Sequence, residues 1–427
     1  MKTDNSLLEQ MLSDDNLNQA YLKVYRNKGA EGVDGMKYTE LKEYLKEHGE
    51  EIKEQIRTRT YKPQPVRRVE IPKETGGVRE LGIPTVLDRF VQQAITQVLT
   101  PIYEPLFSEN SYGFRPNKCC EMAIIKALEF MNDGFQWVVD IDLEKFFDNV
   151  SHDKLISLVM KNVKNGEIVS LIRKFLVSGI MIDDEYKEST IGTPQGGNLS
   201  PLLSNIMLNE LDKELESRKL NFTRYADDCI ILVGSSKAAD RVMENVSKFI
   251  EKKLGLKVNM TKSKVSKPND IKFLGFAFYY DAHSKTWKAK PHQIAIDKLK
   301  ASLKRLTKRN WSVSMDYRLK KIREKIVGWI NYFKIGNFKG ICARIDRNVR
   351  FRLRMCIWKQ WKKVKTKYKA LKKLGMAEWK CITWANCRKS YARCASTFLK
   401  VAIPNKILKK RGLVTLLDQY QLKHVTV

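Results

Sequence analysis

The chain has 427 residues, enough for two or three domains and a large core, and its 43% hydrophobic content excludes a disordered polypeptide. Its net charge of +31 is unevenly spread: residues 291–427 hold 36 lysines and arginines against 6 acidic residues, whereas residues 1–290 hold 43 against 42. A near-neutral body with a strongly cationic C-terminal third argues against a merely solubilising charge, which normally uses both signs, and points to nucleic acid as the partner.

In chain order, residues 1–60 read as helices broken at the Gly-rich stretch 27–35 (NKGAEGVDG). Four prolines and a Gly76-Gly77 turn then punctuate two short strands, a basic β-hairpin ending near Pro84. Residues 86–107 look helical. Residues 137–142 alternate poorly and read as a buried strand that ends in Asp142. Ser151 suits the N-cap of an apolar-periodic helix. Residues 181–197 return as strands and loop, and 199–218 are helical. Two β-prone runs in residues 221–235 (NFTRYADDCIILVGS) place Tyr225-Ala226-Asp227-Asp228 at a hairpin tip. A helix at 236–254 and a strand at 271–279 complete an α+β body, and beyond about residue 290 the pattern is helical and basic. No apolar run approaches the ~18 residues of a membrane span. The start lacks the apolar core of a signal peptide. The eight cysteines contain no C-x-x-C pair, which argues against structural zinc and for reduced thiols in a cytosol.

Adjacent carboxylates at a tip repel each other and raise each other's pKa, a cost that a divalent cation removes. A double Asp also suits an ordinary solvated turn. The third carboxylate, Asp142, lies 85 residues before Asp227 at the end of its own strand, and the three together have the layout of a polymerase palm. Further on, Arg344, Arg347, Phe351, Arg354, Trp358 and Lys362 share one helical face, opposite a stripe of Ile345, Val349, Leu353 and Cys356. Arginines interleaved with Phe and Trp suit RNA, through bidentate phosphate binding and base stacking; the alternative is a solvated amphipathic face.

Six segments, in order, carry a family resemblance: NKGAEGVDGM (27–36), LGIPTVLDRFVQQAI (81–95), SYGFRPNKC (111–119), GTPQGGNLSPLLSNIMLNELD (192–212), IKFLGFAFY (271–279) and GWINYFKIG (328–336). Over nearly the whole chain this set resembles the group II intron-encoded reverse transcriptases, which double as maturases. The resemblance implies an α+β right-hand polymerase followed by an α-helical basic thumb. Its expected divisions are an N-terminal extension and fingers hairpin (1–80), a fingers/palm core (81–290), a helical thumb or maturase domain (291–365) and a basic nucleic-acid-binding segment (366–427). It also implies that Asp142, Asp227 and Asp228 hold two Mg²⁺ ions, with Asp142 and Asp227 the principal ligands. Lys73 and Arg79, flanking the Gly-Gly turn, would clamp the triphosphate. Phe147 would block the ribose 2′-hydroxyl, Gln195 would touch the incoming nucleotide, and Arg115 would lie near template or nucleotide. Gly196 and Gly197 would permit close backbone approach.

The expected activity is RNA-directed DNA synthesis together with binding of the intron RNA to promote splicing and support mobility by target-primed reverse transcription. Expected partners are intron RNA, an RNA template with DNA primer, target DNA and dNTPs, in the cytoplasm of a bacterium as a nucleoid-associated ribonucleoprotein. The chain stops at Val427 without the paired cysteines of the family's endonuclease, as expected of its compact class. Three alternatives stay open on sequence. A domesticated or defence-associated reverse transcriptase would lack flanking intron RNA domains. A splicing cofactor with a dead polymerase conflicts with the intact Asp triad, Lys73, Arg79 and Gln195. An RNA-directed RNA polymerase conflicts with Phe147 and with Tyr-Ala-Asp-Asp in place of Gly-Asp-Asp.

Overall fold

Three helices open the chain, Ser6–Leu12, Asp14–Asn27 and Leu41–Arg57. Ser13 starts the second by accepting a hydrogen bond from the Asn16 amide at 3.4 Å, and Lys28, at φ 48, ends it where the Gly-rich stretch begins. Their apolar residues, among them Leu8, Met11, Val24 and Ile52, join one core with the Val86–Tyr103 helix. That helix begins at Thr85, whose hydroxyl accepts from the Asp88 amide at 3.0 Å, and it is apolar on most of its surface because it lies inside the core. The computed structural model describes residues 6–72, 78–183 and 185–425, so Lys73 and the Gly76-Gly77 turn lie outside the described residues. The chain divides into two compact units, Met1–Lys267 and Pro268–Val427.

In the N-terminal unit β1 (Val66–Pro72) and β2 (Val78–Ile83) form the expected antiparallel hairpin, with Val69 opposite Leu81 and Ile71 opposite Arg79. β3 (Trp137–Ile141) follows, then β4 (Ile180–Ile182) and β5 (Glu185–Lys187). The strand order β2-β1-β4-β5 makes one sheet, in which β1 and β4 run parallel. β6 (Asn221–Tyr225), β7 (Asp228–Val233) and β8 (Lys264–Ser266) complete a second sheet of order β6-β7-β3-β8. β3 and β7 are its inner strands, buried on both faces, which is why residues 137–141 carry no clean alternation. Helices His152–Asn162, Gly166–Leu176, Ser200–Ser217 and Ser236–Phe249 supply the remaining core; Ser151 does cap the first of them. The last of these ends in a π-helical turn, Ile250–Leu254, stopped by Gly255 at φ 69.

The C-terminal unit begins with a hairpin that sequence placed only in part. The strand expected at 271–279 is β9 (Phe276–Asp281), and it pairs with β10 (Thr286–Pro291), a segment too polar to stand out from the basic region that follows. The turn is fixed by Asp281, which accepts from the His283 amide at 3.2 Å and from Lys288 at 2.6 Å. Helices Gln293–Leu306, Met315–Phe333 and Lys339–Gln360 come next, then six short helices ending at Lys423. Aromatic rings tie these parts together: Phe276 to Phe333 at 4.9 Å, Phe333 to Trp329 at 4.7 Å, Trp329 to Phe338 at 5.1 Å and Phe338 to Tyr420 at 4.6 Å. Asp346, inside the third helix, accepts from the amides of Leu416 and Leu417 at 2.8 and 2.9 Å and so starts the last one. Among the described residues no helix is long and apolar enough to cross a membrane.

Candidate active site

The β6–β7 hairpin closes over a two-residue loop, Ala226-Asp227, with Tyr225 opposite Asp228. Ala226 takes φ 57, the positive φ that tight hairpin turns demand. In the neighbouring pair Ile141 faces Cys229, so Asp142, the residue after β3, comes at the same end of the sheet as Asp228. Antiparallel register thus brings the three sequence-nominated carboxylates to one end of the sheet. Asp228 is exposed, Asp227 half-buried and Asp142 half-buried.

The electrostatics fit a cation site in kind. Burial raises the Asp227 carboxyl above the ordinary range and Asp142 adds to the rise, while Arg79 and Arg224 oppose it. The Lys262 ammonium lies 3.4 Å from Asp142 Oδ1. Asp140, two residues back on the same face of β3, is pushed up to about 6 by burial, an effect that Lys264 opposes and Asp142 reinforces. Among the described residues no three His, Cys, Asp or Glu side chains close around a single point. The donors themselves, carboxylate oxygens on rigid strand ends, suit a hard divalent ion such as Mg²⁺.

Arg79 sits in β2, and its charge reaches Asp227. Phe147 and Gln195 line one cavity of about 180 Å³, together with Arg68, Glu80, Gly82 and Thr193. Phe147 stacks edge-on against Phe146 at 5.1 Å, and its carbonyl accepts from the Thr193 amide at 2.6 Å. The Gly82 amide donates to the Gln195 carbonyl at 2.9 Å. Gly196, at φ 133, allows that approach, since a Cβ there would stand 2.6 Å from the Gly82 carbonyl oxygen. The expectation for Arg115 needs correction. Its guanidinium is buried, paired with Glu104 at 2.8 Å and donating to the carbonyls of Ser108 and Ser111 at 2.5 and 2.8 Å. Its donors are turned to Glu104 and to the carbonyls of the 108–111 loop.

The basic face of the Lys339–Gln360 helix is also corrected in part. Arg344 and Arg347 are exposed as expected, and Phe351 is half-buried. Arg354 is only 6% exposed and donates to the Ile403 carbonyl at 2.9 Å and to Asn405 Oδ1 at 3.0 Å. Trp358 is 2% exposed and packs against Phe398 at 5.3 Å. Lys362 is exposed but lies beyond the helix end. The stripe Ile345, Val349, Leu353 and Cys356 is buried as well. This helix therefore runs through the unit and shows solvent only part of the face that its periodicity defines.

Sequence reading passed over the parts that hold the hairpin. Arg224, in β6, and Asp212, in the Ser200–Ser217 helix, are both 0% exposed and meet through two bonds, at 2.7 and 2.5 Å. Burial lifts the Asp212 carboxyl and works against charge on Arg224, while the two-point contact holds the guanidinium above its usual range. Arg224 also donates to Asn205 Oδ1 at 3.1 Å and to the Ala226 carbonyl at 2.8 Å. A charged residue inside a β-prone run, between Thr223 and Tyr225, was the available signal.

Comparison with known families agrees with this geometry. The family described as "Reverse transcriptase (RNA-dependent DNA polymerase)" matches residues 71–278, and "Group II intron, maturase-specific domain" matches residues 296–375. The chain is 40% identical over 212 residues to the group II intron-encoded protein LtrA of Lactococcus lactis, a match covering 49% of this chain and 35% of that protein. It is 33% identical over 292 residues to protein YkfC of Escherichia coli K12, covering 59% of this chain and 76% of that one. A telomerase of Candida albicans, solved with a fragment of telomeric RNA, superposes with a TM-score of 0.44 at 13% identity, covering 77% of this chain and 67% of that one. The match thus spans about a third of the length of LtrA.

Proposed function

We propose, on the premise that the chain belongs to the group II intron reverse transcriptase and maturase family, that it is an RNA-directed DNA polymerase that binds its intron RNA, promotes splicing and supports mobility by target-primed reverse transcription. The observation that carries the polymerase reading is the register that brings Asp142, Asp227 and Asp228 to one sheet end, within electrostatic reach of Arg79. These carboxylates would hold two Mg²⁺ ions. Bound there, the ions would supply activation of the primer 3′-hydroxyl and neutralisation of the triphosphate and the departing pyrophosphate.

The chain's own residues do the rest. Arg79 and Lys73 clamp the triphosphate from the β1–β2 hairpin. The Phe147 ring would exclude a ribose 2′-hydroxyl, and Gln195 borders the same cavity. In the C-terminal unit Arg344, Arg347 and Lys362 present exposed cations to RNA phosphates. Partners are the intron RNA, an RNA template with a DNA primer, target DNA and dNTPs, in a cytoplasmic ribonucleoprotein.

The test is primer extension on an RNA template with dNTPs and Mg²⁺, beside a splicing assay with the flanking intron RNA. DNA synthesis by the wild-type chain, lost in Asp142→Asn, supports the reading. Near wild-type extension by that variant overturns the assignment of the site.

A further inference from the structure

We propose that Arg224 and Asp212 are positioning residues for the carboxylate hairpin: their buried pair grips the backbone at Ala226 and so sets the direction in which Asp227 presents its carboxylate. The inference rests on the reading of Asp227 as a metal-binding carboxylate.

Two bonds to Asp212 leave three of a buried guanidinium's five N–H groups to be satisfied, and the acceptors they find give Arg224 its reach. Nε and one terminal nitrogen go to Asp212, and the other terminal nitrogen goes to Asn205 Oδ1 and to the carbonyl of Ala226, the residue immediately before Asp227. Asn205 in turn donates from Nδ2 to the Gly113 carbonyl at 2.8 Å. The Arg224 amide donates to the Asn110 carbonyl and its carbonyl accepts from the Tyr112 amide, at 2.9 and 2.8 Å. Gly113 lies against the tip itself, for a Cβ there would stand 2.1 Å from the Ala226 amide nitrogen. Three segments thus converge on one residue, Ala226: the 110–113 loop at its amide, and β6 with the Ser200–Ser217 helix at its carbonyl. Ala226 leads into Asp227 at φ 57, a left-handed conformation that persists only where the surroundings enforce it. Apolar replacement of a buried ion pair is often neutral or stabilising, so such a pair is weak evidence of stability alone.

The test uses the full chain in four variants. In Arg224→Met with Asp212→Leu, apolar groups replace the pair and the Ala226 contact goes. Arg224→Lys keeps the charge and the ion pair but cannot serve all the acceptors at once. Gly113→Ala pushes Ala226 from its amide side while leaving the pair in place. Asp227→Asn is the reference. Mn²⁺ affinity, read by the paramagnetic resonance of free Mn²⁺, is measured beside single-nucleotide incorporation, intron RNA affinity and melting temperature. The expected result for the first three is Mn²⁺ affinity weakened on the order of 10-fold and kcat lowered on the order of 10²-fold. The KM for dNTP and the RNA affinity should stay near wild type. Wild-type Mn²⁺ affinity and kcat in folded Arg224→Lys and Gly113→Ala would overturn the proposal and leave the pair a stabilising contact only, whether or not the double variant folds. If Asp227→Asn itself binds Mn²⁺ and makes DNA like the wild type, the underlying reading fails and takes the proposal with it.

Discussion

Both units bury arginines, but they answer the buried charge in different ways. In the N-terminal unit Arg224 meets Asp212 and Arg115 meets Glu104, at 2.5 and 2.8 Å. Arg89 there donates to the Ala30 carbonyl, with the charge of Asp34 opposing the effect of its burial. In the C-terminal unit Arg318 is held by the carbonyls of Leu306, Lys308 and Trp311, and Arg354 by Ile403 and Asn405; among the described residues neither meets a carboxylate. Burial holds both below the usual arginine range. The first unit pairs two of these three arginines with carboxylates, while burial lowers Arg89 as it does the arginines of the second. The second unit, with 36 basic and 6 acidic residues from 291 onward, keeps positive charge even in its interior. A catalytic body needs defined local fields around a few carboxylates. A unit that grips RNA gains from a field that its own side chains do not cancel.

Four measurements would sharpen or break this contrast. The largest effect is expected from Asp227→Asn, which should lower DNA synthesis on the order of 10³-fold while intron RNA affinity stays at the wild-type level; a parallel loss of RNA binding would mean that the two jobs are not divided between the units. Next, Arg354→Ala should destabilise the protein by about 2–3 kcal/mol, because it empties a packed site and strands its acceptors, whereas the exposed Arg347→Ala should change stability by no more than about 0.5 kcal/mol. Denaturant unfolding monitored by the tryptophans of the C-terminal unit reads both, and equal values would return Arg354 to the surface.

The third concerns Asp88, pushed up to about 6 by burial although Thr85, Tyr61 and the Gln64 amide all donate to it. Its folded pKa lies above its unfolded value, so the folded state holds this proton more tightly. The stabilisation is fully present below about pH 4 and is lost as pH rises through about 6, on the order of 2–3 kcal/mol in all. Stability measured from pH 4 to 7 should show that limb in the wild type and a flatter one in Asp88→Asn; identical slopes would contradict it. The smallest effect is expected from Arg344→Ala with Arg347→Ala. Each lost phosphate contact should reduce the log–log salt slope of RNA binding by about 0.7–0.9, and an unchanged slope would leave this face merely solvated.

The carboxylate end of the sheet was legible because its signals are local. Asp142 ends an apolar run, Asp227 and Asp228 interrupt another, and pairing two such strands fixes the rest. Cap residues such as Ser13 and Ser151 were legible for the same reason. The Lys339–Gln360 helix shows where local signals stop. Periodicity told which residues share a face and could not tell what covers it: the partners of Arg354 and Trp358 lie 40 to 51 residues downstream, at Phe398, Ile403 and Asn405. Arg115 failed differently. All its partners lie within 11 residues, but a basic residue in a Gly-containing loop looks the same in sequence whether it points out to phosphate or in to carbonyls.

The left-handed Ala226 has a consequence for anyone who would improve this protein by selection. A non-glycine residue at positive φ costs roughly 1–2 kcal/mol, more than the ~0.4–1 kcal/mol of unfolded-chain entropy that a glycine would add. A library screened for heat resistance should therefore accept glycine at position 226. The same exchange would slacken the residue that Arg224 and Gly113 hold just before Asp227. Survivors of a thermal screen would then carry a well-folded palm with a poorer catalytic centre, so a screen on this scaffold has to read DNA made after the heat step, not folded protein remaining.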